Sequence, residues 1–132
     1  MEILSVLGAA LAAFVLGSVW YMVLAESWMD AAKIPKDEDG KPEGGMTAGI
    51  FAGSFVLQLI VAGMMRHVFS TSGVDGIGAG FISGAGIGLF FISPWIAINN
   101  MYAMRPIRLS LIDGGYATVA CAAMGLVLTL LS

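Results

Sequence analysis

Apolar and polar positions along the chain sort into four long hydrophobic runs separated by short polar stretches. The runs cover Ile3–Ala25, Met46–Met65, Gly76–Ile98 and residues 112–131, the last with a start between Leu109 and Tyr116 set by where Asp113 lies. Each approaches the ~20 residues that a helix rising ~1.5 Å per residue needs to cross ~30 Å of hydrocarbon. Inside hydrocarbon an unpaired backbone amide costs several kcal/mol, so such runs are helical. The pattern predicts an all-α membrane protein, one domain over residues 1–132, with four transmembrane helices in a compact bundle. The first run ends in Val23-Leu24-Ala25, which is similar to a small-residue cleavage site. It has no basic residue ahead of it and exceeds the about 7–15 apolar residues of a signal peptide, so it reads as an uncleaved helix.

The run Gly76–Ile98 is the one around which the others are expected to organise. It holds six glycines and no charge, and Gly76, Gly80, Gly84 and Gly88 recur at every fourth position. On a helix these form one row, along which another backbone can approach closely and gain dispersion contacts. Smaller rows occur elsewhere: Gly49 and Gly53 in the second run, Ala117, Cys121 and Gly125 in the fourth, and Ala9, Ala13 and Gly17 in the first. The row ending at Gly17 is the expected seat for the glycine face. Pro94 removes a donor and crowds the carbonyl of Phe90, which predicts a kink there. Gln58 is the one amide side chain well inside a run. It is expected to face the bundle in an interhelical hydrogen bond of about 0.6 kcal/mol, at most about 2 kcal/mol.

Composition agrees with the class. Of 132 residues, 58% are hydrophobic and 11% charged, where a soluble domain carries about 25% charged. A net charge of −3 gives no basic footprint, so nucleic acid is not an expected partner. Cys121 is the single cysteine and lies in the fourth run. Residues 26–45 are the water-loving connector, and Asp37-Glu38-Asp39-Gly40 within it is similar to the opening of a calcium loop without that loop's alternating ligands or closing glutamate. Met64, Met65 and His67 make the one soft-metal grouping, but adjacent methionines diverge by about 100° on a helix. No metal set, cofactor motif or catalytic residue is assigned. Lys33, Lys36, Lys41, Arg105 and Arg108 fall on the first and third connectors, and only Arg66 on the other side. That bias predicts a cytoplasmic loop 26–45 in the cell inner membrane, with both termini on the non-cytoplasmic side.

Two polar groupings stand near the boundaries. Trp20, Tyr21 and Trp28 are expected to form an interfacial aromatic belt. Asn99, Asn100, Arg105, Arg108, Asp113 and Tyr116 form the most polar cluster, in which Arg105, Arg108 and Asp113 are expected to share an ion-pair network. This cluster is the only place for a membrane enzyme acting on lipid headgroups, yet it contains no recognisable nucleophile–base pair, which argues against an enzyme. Ser18-Val19-Trp20 and Ser93-Pro94-Trp95 share Ser-x-Trp, which suggests two hairpins in parallel repeat.

Gly17-x-x-Trp20-Tyr21, Trp28-Met29, Arg105-Pro106 and Asp113-Gly-Gly-Tyr116, in this order and spacing, resemble the bacterial membrane-protein family catalogued as domain of unknown function 1761. The resemblance spans nearly the whole chain and implies a small four-helix inner-membrane protein, with no activity or substrate attached. The family pattern often has Gly and Pro after the Trp-Tyr pair, where this chain has Met22 and Val23. The glycine and alanine rows favour the role of a packing or assembly module, a homo-oligomer or a subunit of a larger membrane complex, with membrane lipids as partners. The alternative is a conduit for a small neutral solute or lipid, because no ionisable side chain is expected mid-span.

Overall fold

The computed structural model describes residues 2–45 and 47–132, so the expected start of the second run at Met46 lies outside the described residues. The helices are α1 (Glu2–Val23), α2 (Ala25–Ala32), α3 (Ala48–Ser72), α4 (Ile77–Ile87), α5 (Ser93–Tyr102) and α6 (Ile107–Leu130), with a π-helical turn at Gly88–Ile92 joining α4 to α5. Among the described residues four helical stretches are long and apolar enough to span a bilayer: α1, α3, the α4–α5 unit and α6. The chain is a multi-pass membrane protein with an all-helical four-span bundle.

Local chemistry sets the ends of these elements. Thr47 caps α3 by accepting the Ile50 amide at its Oγ1, and Gly73 closes it at φ 70°, a left-handed conformation that glycine adopts without a Cβ clash. The polar pair Arg66-His67 does not end α3, which runs on to Ser72, beyond the expected limit at Met65. Arg66 instead pairs with Glu2 at 2.8 Å and ties the end of α3 to the start of α1. The fourth span also begins earlier than expected, at Ile107 directly after Pro106, whose fixed φ suits a helix entry. Asp113 consequently lies nearly two turns inside α6, within the fourth span as its expected bounds of 112–131 already had it.

At Pro94 the helix takes up its missing amide as a π turn. The Ser93 amide reaches back to Gly88 O, five residues away, so the ladder shifts by one residue just ahead of the proline. Ser93 Oγ lies 2.7 Å from Gly88 O and 2.8 Å from Gly114 O, so one proton is shared between the turn and α6.

The glycine-rich span is not the hub. Half of the apolar stretch of α6 is buried, against 11% for the α4–α5 unit, so α6 is central and the glycine-rich helix lies on one of its sides. The row also has a different seat from the one expected. Gly80 faces Gly125 and Thr129, Gly84 faces Cys121 and Ala122, and Gly88 faces Ala117 and Thr118, in antiparallel order along α6. A Cβ on Gly88 would lie 2.5 Å from Ala117 O, a separation that no side chain tolerates. Ala9, Ala10 and Ala13 of α1 are buried instead among Ala62, Met65, Ala120, Cys121 and Met124. Gly76 is outside the contact row: it caps α4 at φ 90° with nothing within 4 Å of a built Cβ. Gly53 likewise meets nothing, and Gly49 only its neighbour Thr47.

The first connector is partly helical. α2 continues from α1 through Leu24, where two backbone bonds, Leu24 to Trp20 O and Trp28 to Leu24 O, keep the turn nearly continuous without Gly or Pro. Its Ala31 and Ala32 pack on Leu109 of α6, and Arg105 Nη1 donates to Ala32 O at 2.5 Å. Farther on, Asp37 Oδ1 accepts the amides of Asp39 and Lys41, an Asx-type turn that uses the carboxylate resembling a calcium ligand.

The packing of α4 on α6 yields a direct test. Gly84→Leu is expected to destabilise the protein by roughly 1–3 kcal/mol or more, because backbone atoms rather than a flexible tip oppose the new side chain. Gly53→Leu, on an open face, is expected to stay within about 0.5 kcal/mol of the parent. Thermal unfolding of both variants in the same detergent checks this, and equal melting temperatures would contradict it.

Candidate functional site

The tetrapeptide Asp113-Gly114-Gly115-Tyr116 is one turn of α6 on which the other spans converge. Asp113 Oδ1 accepts the Tyr21 hydroxyl of α1 at 2.6 Å. Gly114 faces Ser93, where a Cβ would stand 3.1 Å from the serine Cβ and Oγ. Gly115 faces the Trp20 ring at 2.9 Å from a built Cβ, and the Trp20 indole donates to Ile112 O at 3.0 Å. Tyr116 donates its hydroxyl proton to Ala13 O at 2.6 Å and accepts from Gln58 Nε2 of α3 at 2.6 Å. It can reach Ala13 because Gly17, one turn farther along α1, has no side chain: a Cβ there would lie 2.6 Å from the Tyr116 hydroxyl. The two glycines of the motif thus make room for neighbouring helices, and its two polar residues bond to them.

Trp20 and Tyr21, expected in a headgroup belt, are tied inward to α6. Their polar atoms bond to α6, and Tyr21 stands edge-on to both Trp28 (5.6 Å between ring centroids) and Tyr116 (5.5 Å). In an apolar setting such protein partners are what an indole or phenol requires. The two Ser-x-Trp motifs also have unlike surroundings: Ser18 bonds its own helix at Phe14 O, whereas Ser93 bonds α6, and Trp95 is exposed while Trp20 is packed.

The expected Arg105–Arg108–Asp113 network does not form. Arg105 caps α2 at Ala32 O, Arg108 pairs with Asp30 at 3.5 Å, and Asp113 bonds Tyr21. The reason is reach: α6 turns Asp113 toward α1, while the arginines precede it by one turn or more and lie against α2. Asn100 donates to Ser110 Oγ at 3.1 Å, and Asn99 is exposed. The polar cluster read from the sequence thus divides into a boundary set and an interior set. Met64 and Met65 point apart, the first exposed and the second in the core.

The interior set borders a cleft of about 840 Å³ between α1, α2, α3, α5 and α6. Phe14, Phe51, Val61, Ile92 and Met124 represent its apolar walls, and Tyr21, Ser54, Gln58, Asp113 and Tyr116 its polar ones. From Asp113 to Met124 it follows α6 for about 16 Å at helical rise. Neither Arg105 nor Arg108 lines it. Gln58 Oε1 is buried and has no hydrogen-bond partner among the described residues. The sequence hinted at this site through Gln58, Asp113 and Tyr116. It gave no signal for the parts played by Phe14, Ser54 and Met124, which are apolar or small residues like many others in the spans.

One comparison with known proteins bears on the chain. The profile of DUF1761, described as a protein of unknown function, matches residues 4–129. The chain belongs to the DUF1761 family. No curated protein and no solved structure matches it. Of the residues on which the resemblance was read, Gly17, Trp20, Tyr21, Trp28, Asp113 and Tyr116 meet at the joint and cleft on α6, whereas Arg105 lies with α2.

Tyr116→Phe is expected to cost about 1–2 kcal/mol, since it removes a hydrogen bond to Ala13 and strands the Gln58 amide. Adding Gln58→Leu to that variant is expected to restore part of the loss by removing the stranded amide. A double-mutant cycle on thermal unfolding in detergent measures the coupling, and strict additivity would show that the bond carries no weight.

Proposed function

We propose that this protein is a membrane-embedded binding module that holds one small amphipathic molecule, a lipid or lipid-like solute, in the cleft on α6. The observation that carries the reading is the cleft itself: about 840 Å³, walled mainly by apolar side chains, with Tyr21, Asp113, Tyr116 and Gln58 gathered along one part of it. Sites for small molecules have this make-up, with volumes of roughly 300–1,000 Å³ and a few convergent polar groups that fix orientation. The glycine row, which favoured an assembly role, is used within the chain against α6. Enzymatic action on a phosphate headgroup has little support, because both arginines are engaged away from Asp113.

Self-association through α3 is a second reading, favoured by one observation. Gly49 and Gly53 form a GxxxG pair that meets no other helix of the chain, and such pairs suit close helix contacts in lipid. For orientation, we place the end of the bundle with Arg105, Arg108 and α2 in the cytoplasm of the cell inner membrane. Five of the six Lys and Arg residues lie at that end, on its connectors or in the first turn of α6, and basic residues are retained on that side.

Native mass spectrometry of the gently solubilised protein is expected to show one amphiphile bound per chain, lost on filling the cleft with Ser54→Trp. Absence of any adduct in lipid-supplemented samples would refute the binding reading, and the same spectra report whether copies associate. For orientation, Asp39→Cys is expected to resist a membrane-impermeant maleimide in intact spheroplasts, and Ser132→Cys to react. The reverse pattern would invert the topology.

A further inference from the structure

The polar groups on the cleft wall restrict what kind of amphiphile fits. The Tyr116 proton is committed to Ala13 O, a carbonyl that has none to give back. The 2.6 Å contact with Gln58 must then run from Nε2 to the phenol oxygen, which leaves Gln58 Oε1 as the unpartnered atom. The Tyr21 proton goes to Asp113 Oδ1, and the Ser18 proton to Phe14 O. A carboxylate has about four lone-pair sites over its two oxygens, and Asp113 uses one of them on a neutral donor. The wall therefore presents Gln58 Oε1 and the Asp113 carboxylate as acceptors, with the Ser54 hydroxyl and the Trp28 indole N–H as donors that have no partner among the described residues.

Arg105 is the one basic group whose charge acts on the Asp113 carboxylate, and it does so from outside the cleft. Arg66 is paired with Glu2, Arg108 with Asp30, and Arg105 is directed at Ala32 O. No Lys, Arg or His lines the cleft. One ring touches the carboxylate and two adjoin that ring: Tyr21 bonds Asp113 and packs edge-on between Trp28 and Tyr116, while the Phe14 and Phe51 ring centroids stand 6.0 Å apart farther along the wall. Ring faces attract cations, most strongly when both partners are out of water. An anion would meet a carboxylate and no basic group. A neutral amphiphile would fit the walls and leave the charge unused.

We propose that the cleft selects a lipophilic cation, an ammonium or similar onium group on an apolar body, with Asp113 as counter-charge and Tyr21, Trp28 and Tyr116 as the aromatic enclosure. This rests on the binding reading above and adds the charge of the occupant to it. Asp113 and the rings hold the head, and the apolar wall toward Met124 holds the tail.

The test uses the full chain in zwitterionic lipid nanodiscs, titrated calorimetrically with three probes of equal chain length: dodecyltrimethylammonium, dodecanol and dodecanoate, with empty nanodiscs subtracted. The ammonium is expected to saturate at one per chain, about tenfold or more tighter than dodecanol, with dodecanoate the weakest. Asp113→Asn keeps an acceptor for Tyr21 and is expected to abolish the preference while dodecanol still binds. Trp28→Leu, which keeps the carboxylate and removes one ring of the enclosure, is expected to weaken the ammonium severalfold more than dodecanol. Equal affinity for the ammonium and dodecanol, or a preference that survives Asp113→Asn, would overturn the cation assignment and leave the binding cleft standing. Failure of all three probes to bind would remove the cleft reading, and this proposal with it.

Discussion

Everything in this fold depends on how closely helix backbones can approach α6. In oil no hydrophobic force drives helices together, since lipid tails satisfy an apolar side chain as well as a neighbour does. What remains is dispersion between closely apposed surfaces, and hydrogen bonds that closeness permits. α6 supplies the closeness through Ala117, Cys121 and Gly125 toward the glycines of α4, and through Ala120 and Met124 toward α1 and α3. The outer faces, with residues such as Leu11, Val15, Ile60, Phe90 and Phe91, stay exposed without penalty in that solvent.

Close approach also determines which polar groups can exist in the span. An ionisable side chain within hydrocarbon is costly unless it faces the bundle and finds partners. Asp113 and Tyr116 meet this condition because two glycines stand between them. Gly114 and Gly115 let Ser93 and Trp20 lie against the helix, and Gly17 lets Tyr116 extend to the α1 backbone. A single turn of α6 thus holds contacts to α1, α3 and α5, each with a polar bond of its own. Such a joint fixes the relative positions of four spans more sharply than apolar packing alone.

The same geometry produces the cleft. α3 is anchored to α6 through Gln58 at mid-height and to α1 at its far end through Arg66 and Glu2. Between these points large side chains such as Phe14, Phe51 and Met124 border the space left open. Membership of DUF1761 attaches no chemistry to it. Function here has to be argued from the groups on the wall rather than from the architecture.

Much of this was legible in the sequence. Four helices, their approximate spans and the inward placement of Gln58 follow from local rules: a backbone in hydrocarbon must bond within its own segment, about 20 apolar residues cross the bilayer, and an amide seeks a partner there. The tertiary structure alone decided which helix is central, where the glycine row rests, and how the polar residues divide. A small-residue row states that a face admits close contact, and it is silent on which neighbour takes the place; Gly80, Gly84 and Gly88 chose α6 over α1. When every helix is apolar on all sides, no amphipathic direction marks the core. That Trp20 and Tyr21 bond to α6 is likewise a tertiary matter, since Gly115 opens the path along which Trp20 packs inward. Arg105, Arg108 and Asp113, near in sequence, were separated by the turn of α6, which presents the carboxylate to α1 and leaves the guanidiniums with α2.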